Sequence, residues 1–229
     1  MTSPTGSSDP ASRRAWRSPL AWIVLLFATG AGVTADLGLK QWAFRNVAPH
    51  PVALDRDSIQ QPTWHIPPHE AVPVIPRVLN LHLVKNEGAV FGIGANQRMF
   101  FIVFTIGALA AAVVVFSCWT RADALAAHIA IGLIVAGGVG NLFDRLRFGF
   151  VRDFLHLLPG WRLPFGWHWP GGNSEVFPWV FNLADVMLLV GMATLMWYMN
   201  SLEKRRKIAG EARAVTNKPP EPPAQPESA

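Results

Sequence analysis

Ala136-Gly-Gly-Val-Gly-Asn-Leu-Phe-Asp-Arg-Leu-Arg-Phe-Gly-Phe-Val-Arg-Asp-Phe-Leu155 decides how the rest of this chain is read. It opens as the end of an apolar run and closes on Asn141, Asp144, Arg145, Arg152 and Asp153. Charges at the end of a membrane helix are costly unless they are paired, hydrated or used in chemistry. A second stretch, Phe181-Asn-Leu-Ala-Asp185, sets another carboxylate inside another apolar run. Asp153 and Asp185 are therefore expected to form a two-carboxylate catalytic site at one face of a membrane.

Composition supports membrane residence. The 229 residues are 51% hydrophobic and only 15% charged, with a mean hydropathy of +0.25, whereas soluble domains carry roughly 25% charged residues. The single cysteine, Cys118, excludes an internal disulfide framework and a multi-cysteine metal site. It lies in an apolar run and is expected to pack there as a small hydrophobe. The net charge of +5 resides largely in short flanks of apolar segments, the pattern that orients membrane proteins. No nucleic-acid-binding motif accompanies it, so no nucleic-acid partner is expected.

Outward from the opening stretch, hydropathy predicts an all-α membrane protein with four transmembrane helices, over about 19–44, 99–119, 124–146 and 176–199. A span needs ~20 residues at ~1.5 Å each. A signal peptide is the competing reading of the first run, but that run continues through Asp36 and Lys40 to Phe44, which favours a retained helix. Residues 1–18 and 201–229 are Ser/Pro-rich and Pro/Glu-rich, and both are expected to be disordered tails. Between the first two spans, seven prolines exclude a long helix. There the alternating Val78–Val84 predicts a strand and a small β-rich cradle in this first outward loop. Residues 148–175 read as a loop whose Trp161, Trp167 and Trp169 suit a membrane–water interface.

Four spans put both termini on one side. Arg13, Arg14, Arg17, Arg121 and the Lys204–Lys207 cluster would then face the cytoplasm, and both large loops would face outward. Asp36, Lys40, Asn141, Asp144, Arg145 and Asp153 then gather toward the outer surface. Asp185 is expected about nine residues into the fourth span, roughly 14 Å along its axis, with Asn182 on the same helical face. The inner halves of the spans hold no charged residue. A proton-coupled transporter, the main alternative, would place polar residues near the midplane. A non-catalytic assembly factor could also use Gly137, Gly138 and Gly140 for helix packing, so the glycines discriminate nothing. For Asp144, Arg145, Arg152 and Asp153, a plain surface ion-pair network is the competing reading.

Two carboxylates in a low-dielectric site hold one proton between them and so provide an acid beside a base. Such a pair activates water and protonates a leaving amine without a covalent intermediate. No cofactor is required. The seven histidines contain no H-E-x-x-H pair. Each of them, including His69, His82 and His128, is expected in a solvated loop or at the interface rather than on a metal. No Ser–His or Cys–His pair presents itself, since Cys118 should lie on the cytoplasmic side.

The chain resembles the lipoprotein signal peptidases, bacterial signal peptidase II. The matching pieces are Asp36-Leu-Gly-Leu-Lys40, Asn86-Glu-Gly-Ala-Val-Phe91, Gly137-Gly-Val-Gly-Asn-Leu-Phe-Asp-Arg145 with Val151-Arg-Asp-Phe154, and Phe181-Asn-Leu-Ala-Asp185. The resemblance covers about residues 20–200. It implies an aspartyl endopeptidase of the bacterial inner membrane that cuts prolipoproteins before a diacylglyceryl-modified cysteine, at the outer face. Asp153 and Asp185 are implied as catalytic. Asp36, Lys40, Asn86, Gly88, Asn141, Asp144, Arg145 and Asn182 are implied as substrate-binding or supporting residues, with no metal. The implied partners are lipid-modified prolipoproteins and membrane lipids, with the enzyme a monomer. The outward loop is implied to carry a mobile element over the substrate. Leu39 stands where the family commonly has Thr, Val90 where a second Ala is common, and the loops at 45–79 and 160–175 are extended.

Overall fold

The computed structural model describes residues 14–61, 63–88 and 97–216. Helix α1 (Pro19–Asn46) opens where the Ser18 hydroxyl accepts the Ala21 amide at 3.3 Å and Pro19 takes the first helical position. Both features satisfy or remove backbone donors that a helix N-terminus leaves unpaired. After Val47 the chain meets Pro49 and Pro51, which cannot extend the helix. Helix α2 (Arg56–Ile59) is a single turn capped by Asp55.

Helix α3 (Arg98–Val114) is uncharged after Arg98 and widens into a π-turn at Val115–Trp119. Helices α4 (Leu125–Arg147) and α5 (Leu183–Thr216) complete the bundle. Four helices are long and apolar enough to cross a membrane. Their outward surfaces are apolar: Phe27, Val103, Phe104 and Met196 are each more than 60% exposed, which is tolerable where lipid replaces water. Helix α4 is central and packs against α1, α3 and α5. Its Ala127, Ala130, Ile131 and Ala136 are buried. Small residues permit that approach: a Cβ at Gly137 would collide with the Ala184 carbonyl and lie 2.8 Å from Leu188 Cγ.

Over one end of the bundle sits a four-stranded antiparallel sheet in the order β1 (Val72–Ile75), β2 (Leu79–Asn86), β3 (Val151–Leu157), β4 (Val180–Phe181). Leu81, Leu83 and Phe154 bury against Ala43, Phe44 and Val47 at the C-terminal end of α1. Each large side chain so buried contributes roughly 1.5–3 kcal/mol. That core ties the sheet to the bundle. A bulge between Leu81 and Val84 adds a residue to β2 and bends the strand.

The helices Pro19–Asn46, Arg98–Trp119 and Leu125–Arg147 begin and end within two residues of the first three expected spans, but several other expectations need correction. The fourth helix begins at Leu183, because Val180 and Phe181 pair as an edge strand with His156 and Leu155. Pro178 and the aromatic and β-branched residues around it favour extended backbone over helix. The sheet is not confined to the first loop, since β3 and β4 come from the segment between α4 and α5. The predicted strand at 78–84 is displaced to 79–86. Residues 201–216 are helical rather than disordered; this stretch is rich in Glu, Lys, Arg and Ala, has no proline, and carries a Glu203–Lys207 pair at 3.3 Å.

Two further expectations concern side chains. Cys118 is exposed on the π-turn rather than packed. His128 is buried rather than solvated, because the start of α4 seats it 5.3 Å from the Phe116 ring with Nε2 on the Arg121 carbonyl. His69 and His82 are likewise half-buried and stack at 4.9 Å. The expected N-terminal tail at 1–18 is ordered at its end: Ala15–Arg17 form a 3-10 turn, and buried Ala15 donates its amide to the Thr120 carbonyl at 3.1 Å. The rest of the two expected tails (1–13 and 217–229), with Arg13, and Ala89–Phe91 of the second motif with the mobile element fall outside the described residues.

Candidate active site

Asn182 stands immediately before α5, and its Oδ1 accepts the Asp185 amide at 3.1 Å. Asp185 Oδ2 accepts the Asn182 amide in return, also at 3.1 Å. This is a reciprocal capping arrangement, each side chain satisfying a backbone donor that the helix start leaves free. Asp185 is therefore in the first turn of α5, not nine residues deep. The Asn-x-x-Asp spacing before an apolar run is the signal that would have placed the helix start correctly.

Strand β3 brings Asp153 to the same point. Asn182 Nδ2 donates to Asp153 Oδ1 at 2.5 Å, and Asn86 Nδ2, from the end of β2, donates to Asp153 Oδ2 at 2.8 Å. One asparagine thus bridges the two carboxylates. Asp153 is 1% exposed, while Asp185 is only partly buried. Burial, followed by the nearby Asp185, pushes the Asp153 carboxyl up to about 7, against opposing contributions from Asn86, Asn182 and Lys40.

Beneath the carboxylates lies a buried charged layer. Lys40 Nζ sits 2.8 Å from Asp36 Oδ2 and 3.5 Å from Asp144 Oδ2, and donates to Asn141 Oδ1 at 2.9 Å. Asn141 Oδ1 also receives Asn182 Nδ2 at 3.2 Å. With its oxygen held by two donors, Asn141 turns its Nδ2 to Asp185 Oδ1 at 2.8 Å. Asp36 Oδ1 accepts the Ala184 amide at 2.9 Å, fixing α5 against α1. A Cβ at Gly140 would press on that Asp36 carboxylate, so the close approach there requires glycine.

Asp144 grips Arg152 through Oδ1 to Nη2 at 2.8 Å and through the Arg152 amide at 3.0 Å. Its partners are therefore Arg152 and Lys40, buried rather than in a surface network. Arg145 points elsewhere, donating to the Gly88 carbonyl at 3.0 Å and to the Asn141 carbonyl at 3.4 Å, with its guanidinium 5.1 Å from the Phe101 ring. Asp36 and Lys40 pair directly. All ten expected site residues thus meet in one hydrogen-bonded network. Sequence reading offered Arg152 only a place in a surface ion-pair network and gave the Ala184 amide no role, because a partner across the fold leaves no local signature.

A cavity of about 420 Å³ opens between α3, α4 and α5. Phe101, Phe104, Leu109 and Leu188 make it apolar, and Asn86 and Asp185 stand at its polar end. Among the described residues no group of three or more His, Cys, Asp or Glu is placed to hold a metal.

Residues 28–201 match the family model described as signal peptidase (SPase) II. The chain belongs to the signal peptidase II family. It is 39% identical over 135 residues to the lipoprotein signal peptidase of Syntrophotalea carbinolica, covering 56% of this chain and 72% of that one. The lipoprotein signal peptidase of Halothermothrix orenii is 36% identical over 135 residues, covering 59% and 79%. Two solved structures titled as bacterial membrane enzymes share the fold. One is 23% identical with a TM-score of 0.54 over 92% of this chain and 98% of that one; the other is 24% identical with a TM-score of 0.54 over 82% and 96%.

Proposed function

We infer that this protein is a lipoprotein signal peptidase, an aspartic endopeptidase that cuts prolipoproteins before a diacylglyceryl-modified cysteine. The observation that carries the reading is the pair Asp153 and Asp185, bridged by Asn182, with Asp185 lining an apolar cleft. The cleft lies between helices and is lined with aromatic and aliphatic side chains, which suits an acyl chain or an apolar signal helix better than a soluble peptide. The basic residues Arg14, Arg17, Arg121 and Lys204–Lys207 support an orientation with both ends of the chain at the cytoplasmic side. The sheet and the carboxylates then face outward from the inner membrane, where the lipid-modified cysteine is presented.

The chemistry follows from one proton shared by two carboxyls. The ionised carboxylate takes a proton from water as its oxygen attacks the scissile carbonyl carbon. The protonated carboxyl gives its proton to the cysteine nitrogen as the C–N bond breaks. One proton is received and one delivered, so the pair ends with the single proton it began with. Asn86, Asn141 and Asn182 hold the carboxylate oxygens in place through this exchange. Lys40 orients Asn141 and offsets negative charge nearby.

Incubating the full-length protein in detergent micelles with a prolipoprotein, with and without the diacylglyceryl group, tests this reading. Mass spectrometry should find a product beginning at the lipidated cysteine and no cleavage of the unmodified chain. Equal cleavage of both would remove the lipid from the recognition, and cleavage of neither by folded protein would overturn the assignment.

A further inference from the structure

A second cavity, of about 610 Å³, lies between the C-terminal ends of α1 and α4. The catalytic cleft lies between α3, α4 and α5 and shares no lining residue with it. Leu37 and Phe143 form its apolar wall, and Arg45, Arg147 and Arg152 contribute three guanidiniums. One carboxylate, Asp55, also lines it, with Oδ1 accepting the Ser58 amide at 2.8 Å. Arg152 is committed to Asp144 and to Gln41 Oε1, at 3.3 Å for the latter. Arg45 and Arg147 are exposed at the last turns of their helices, and no carboxylate partner is described for either among the described residues.

Their surroundings define what they could hold. Arginines at helix C-termini complement the helix dipole, a role that needs neither a cavity nor an apolar wall. Here both helices end at the same face, the face that carries the sheet. Exposed Trp42 lies one turn before Arg45, and exposed Phe143 one turn before Arg147. Aromatic side chains followed by arginine mark the transition from acyl chains to headgroups. Guanidiniums bind phosphate oxygens in planar, bidentate geometry. A ligand filling the cavity would present hydrocarbon to Leu37 and Phe143 and a phosphate to Arg45 and Arg147.

We propose that the cleft between the ends of α1 and α4 is a binding site for an anionic phospholipid of the outer leaflet, with Arg45 and Arg147 holding its phosphate. The site rests on the outward orientation proposed above. It also adjoins the catalytic network: Arg152 lines it, bonds Asp144, and precedes Asp153. An occupied site would brace the end of α4 against the start of β3.

The test is native mass spectrometry of the full-length protein released from micelles doped with phosphatidylglycerol or phosphatidylcholine. The wild type should retain phosphatidylglycerol in preference to phosphatidylcholine. Arg45→Gln/Arg147→Gln should reduce that retention at least fivefold, and Arg45→Lys/Arg147→Lys should keep most of it. Inorganic phosphate at millimolar concentration should not displace the lipid, since the apolar wall contributes; displacement by it would reduce the site to a phosphate-only one and overturn the lipid assignment. A Lys204→Gln/Arg205→Gln/Lys207→Gln variant controls for the basic cluster at the other end and should retain lipid as the wild type does. Equal retention by wild type and the Gln pair, with both folded by circular dichroism, would overturn the proposal, as would equal retention of the two lipids by wild type. The readout uses no substrate, so its failure is distinct from failure of the peptidase reading.

Discussion

Replacing Lys40 by Met removes the cation that joins Asp36 on α1 to Asn141 and Asp144 on α4. Lys40 and Asp36 are both 0% exposed and pair at 2.8 Å, and Asp144 lies at 3.5 Å. Asp144 keeps Arg152 after the change, but Asp36 keeps only the Ala184 amide. Breaking a buried ion pair from one side costs about 3–5 kcal/mol, because a charge is left uncompensated. At about 2–4 °C per kcal/mol for a chain of this size, the apparent midpoint should fall by roughly 6–20 °C in detergent. Adding Asp36→Asn removes the orphaned charge, so the double variant should regain more than half of the loss. Activity should not return with stability, since the Asn141 amide would still lack the shorter of the two donors that fix its orientation toward Asp185. Paired thermal scans and cleavage assays on the two variants measure both effects. A single variant within about 1 kcal/mol of wild type, or a double variant less stable than the single one, would refute the view of Lys40 as a buried electrostatic hub.

Other tests probe different parts of the site. The folded Asp153 carboxyl is pushed up to about 7 from an ordinary 3.8, so the native state binds the extra proton between these values. Its stabilising contribution is complete below about pH 4 and lost as pH rises through 7, about 4 kcal/mol in all; denaturation across pH 4–8 should show that decline in wild type and a flatter profile in Asp153→Asn. Asn182→Ala removes the cap of α5 and the bridge between the carboxylates; it should cost about 0.5–2 kcal/mol in stability and lower kcat more than KM, and unchanged kcat in a steady-state assay would exclude the bridging role. Treatment with EDTA should leave turnover unaltered, because the reaction is assigned to carboxyl groups alone; loss restored by zinc would point to metal-assisted hydrolysis.

Much of this architecture was legible because the bilayer imposes a simple code. Runs of about 20 apolar residues located α1, α3 and α4, and charges at their ends marked the face where the site is built. Asp153 and Asp185 stood out because neither had an obvious role in a lipid-facing helix. The start of α5 was misread because Val176–Phe181 is as apolar as the helix that follows, and hydropathy is blind to backbone conformation. Pro178 and the Asn182-x-x-Asp185 spacing distinguish them. Strand β3 was hidden for a related reason: Val151, Arg152, Asp153 and Phe154 are all buried, so the strand lacks the alternation of a half-solvated one. The pairing of Asp144 with Arg152 instead of Arg145 depends on how the chain turns after α4, where Gly149 adopts φ +90°. That turn carries β3 back over the helix end, and nothing in residue spacing specified it.

The most direct test of the account is cleavage of a diacylglyceryl-modified prolipoprotein by wild type, Asp153→Asn and Asp185→Asn side by side, followed by gel shift. Asn preserves shape and removes the titratable proton, at the cost of one of the two hydrogen bonds each carboxylate accepts, so circular dichroism should confirm that both variants fold. The account predicts cleavage by wild type and at least a thousandfold loss in each variant. Near-normal turnover in either variant would contradict the two-carboxylate mechanism.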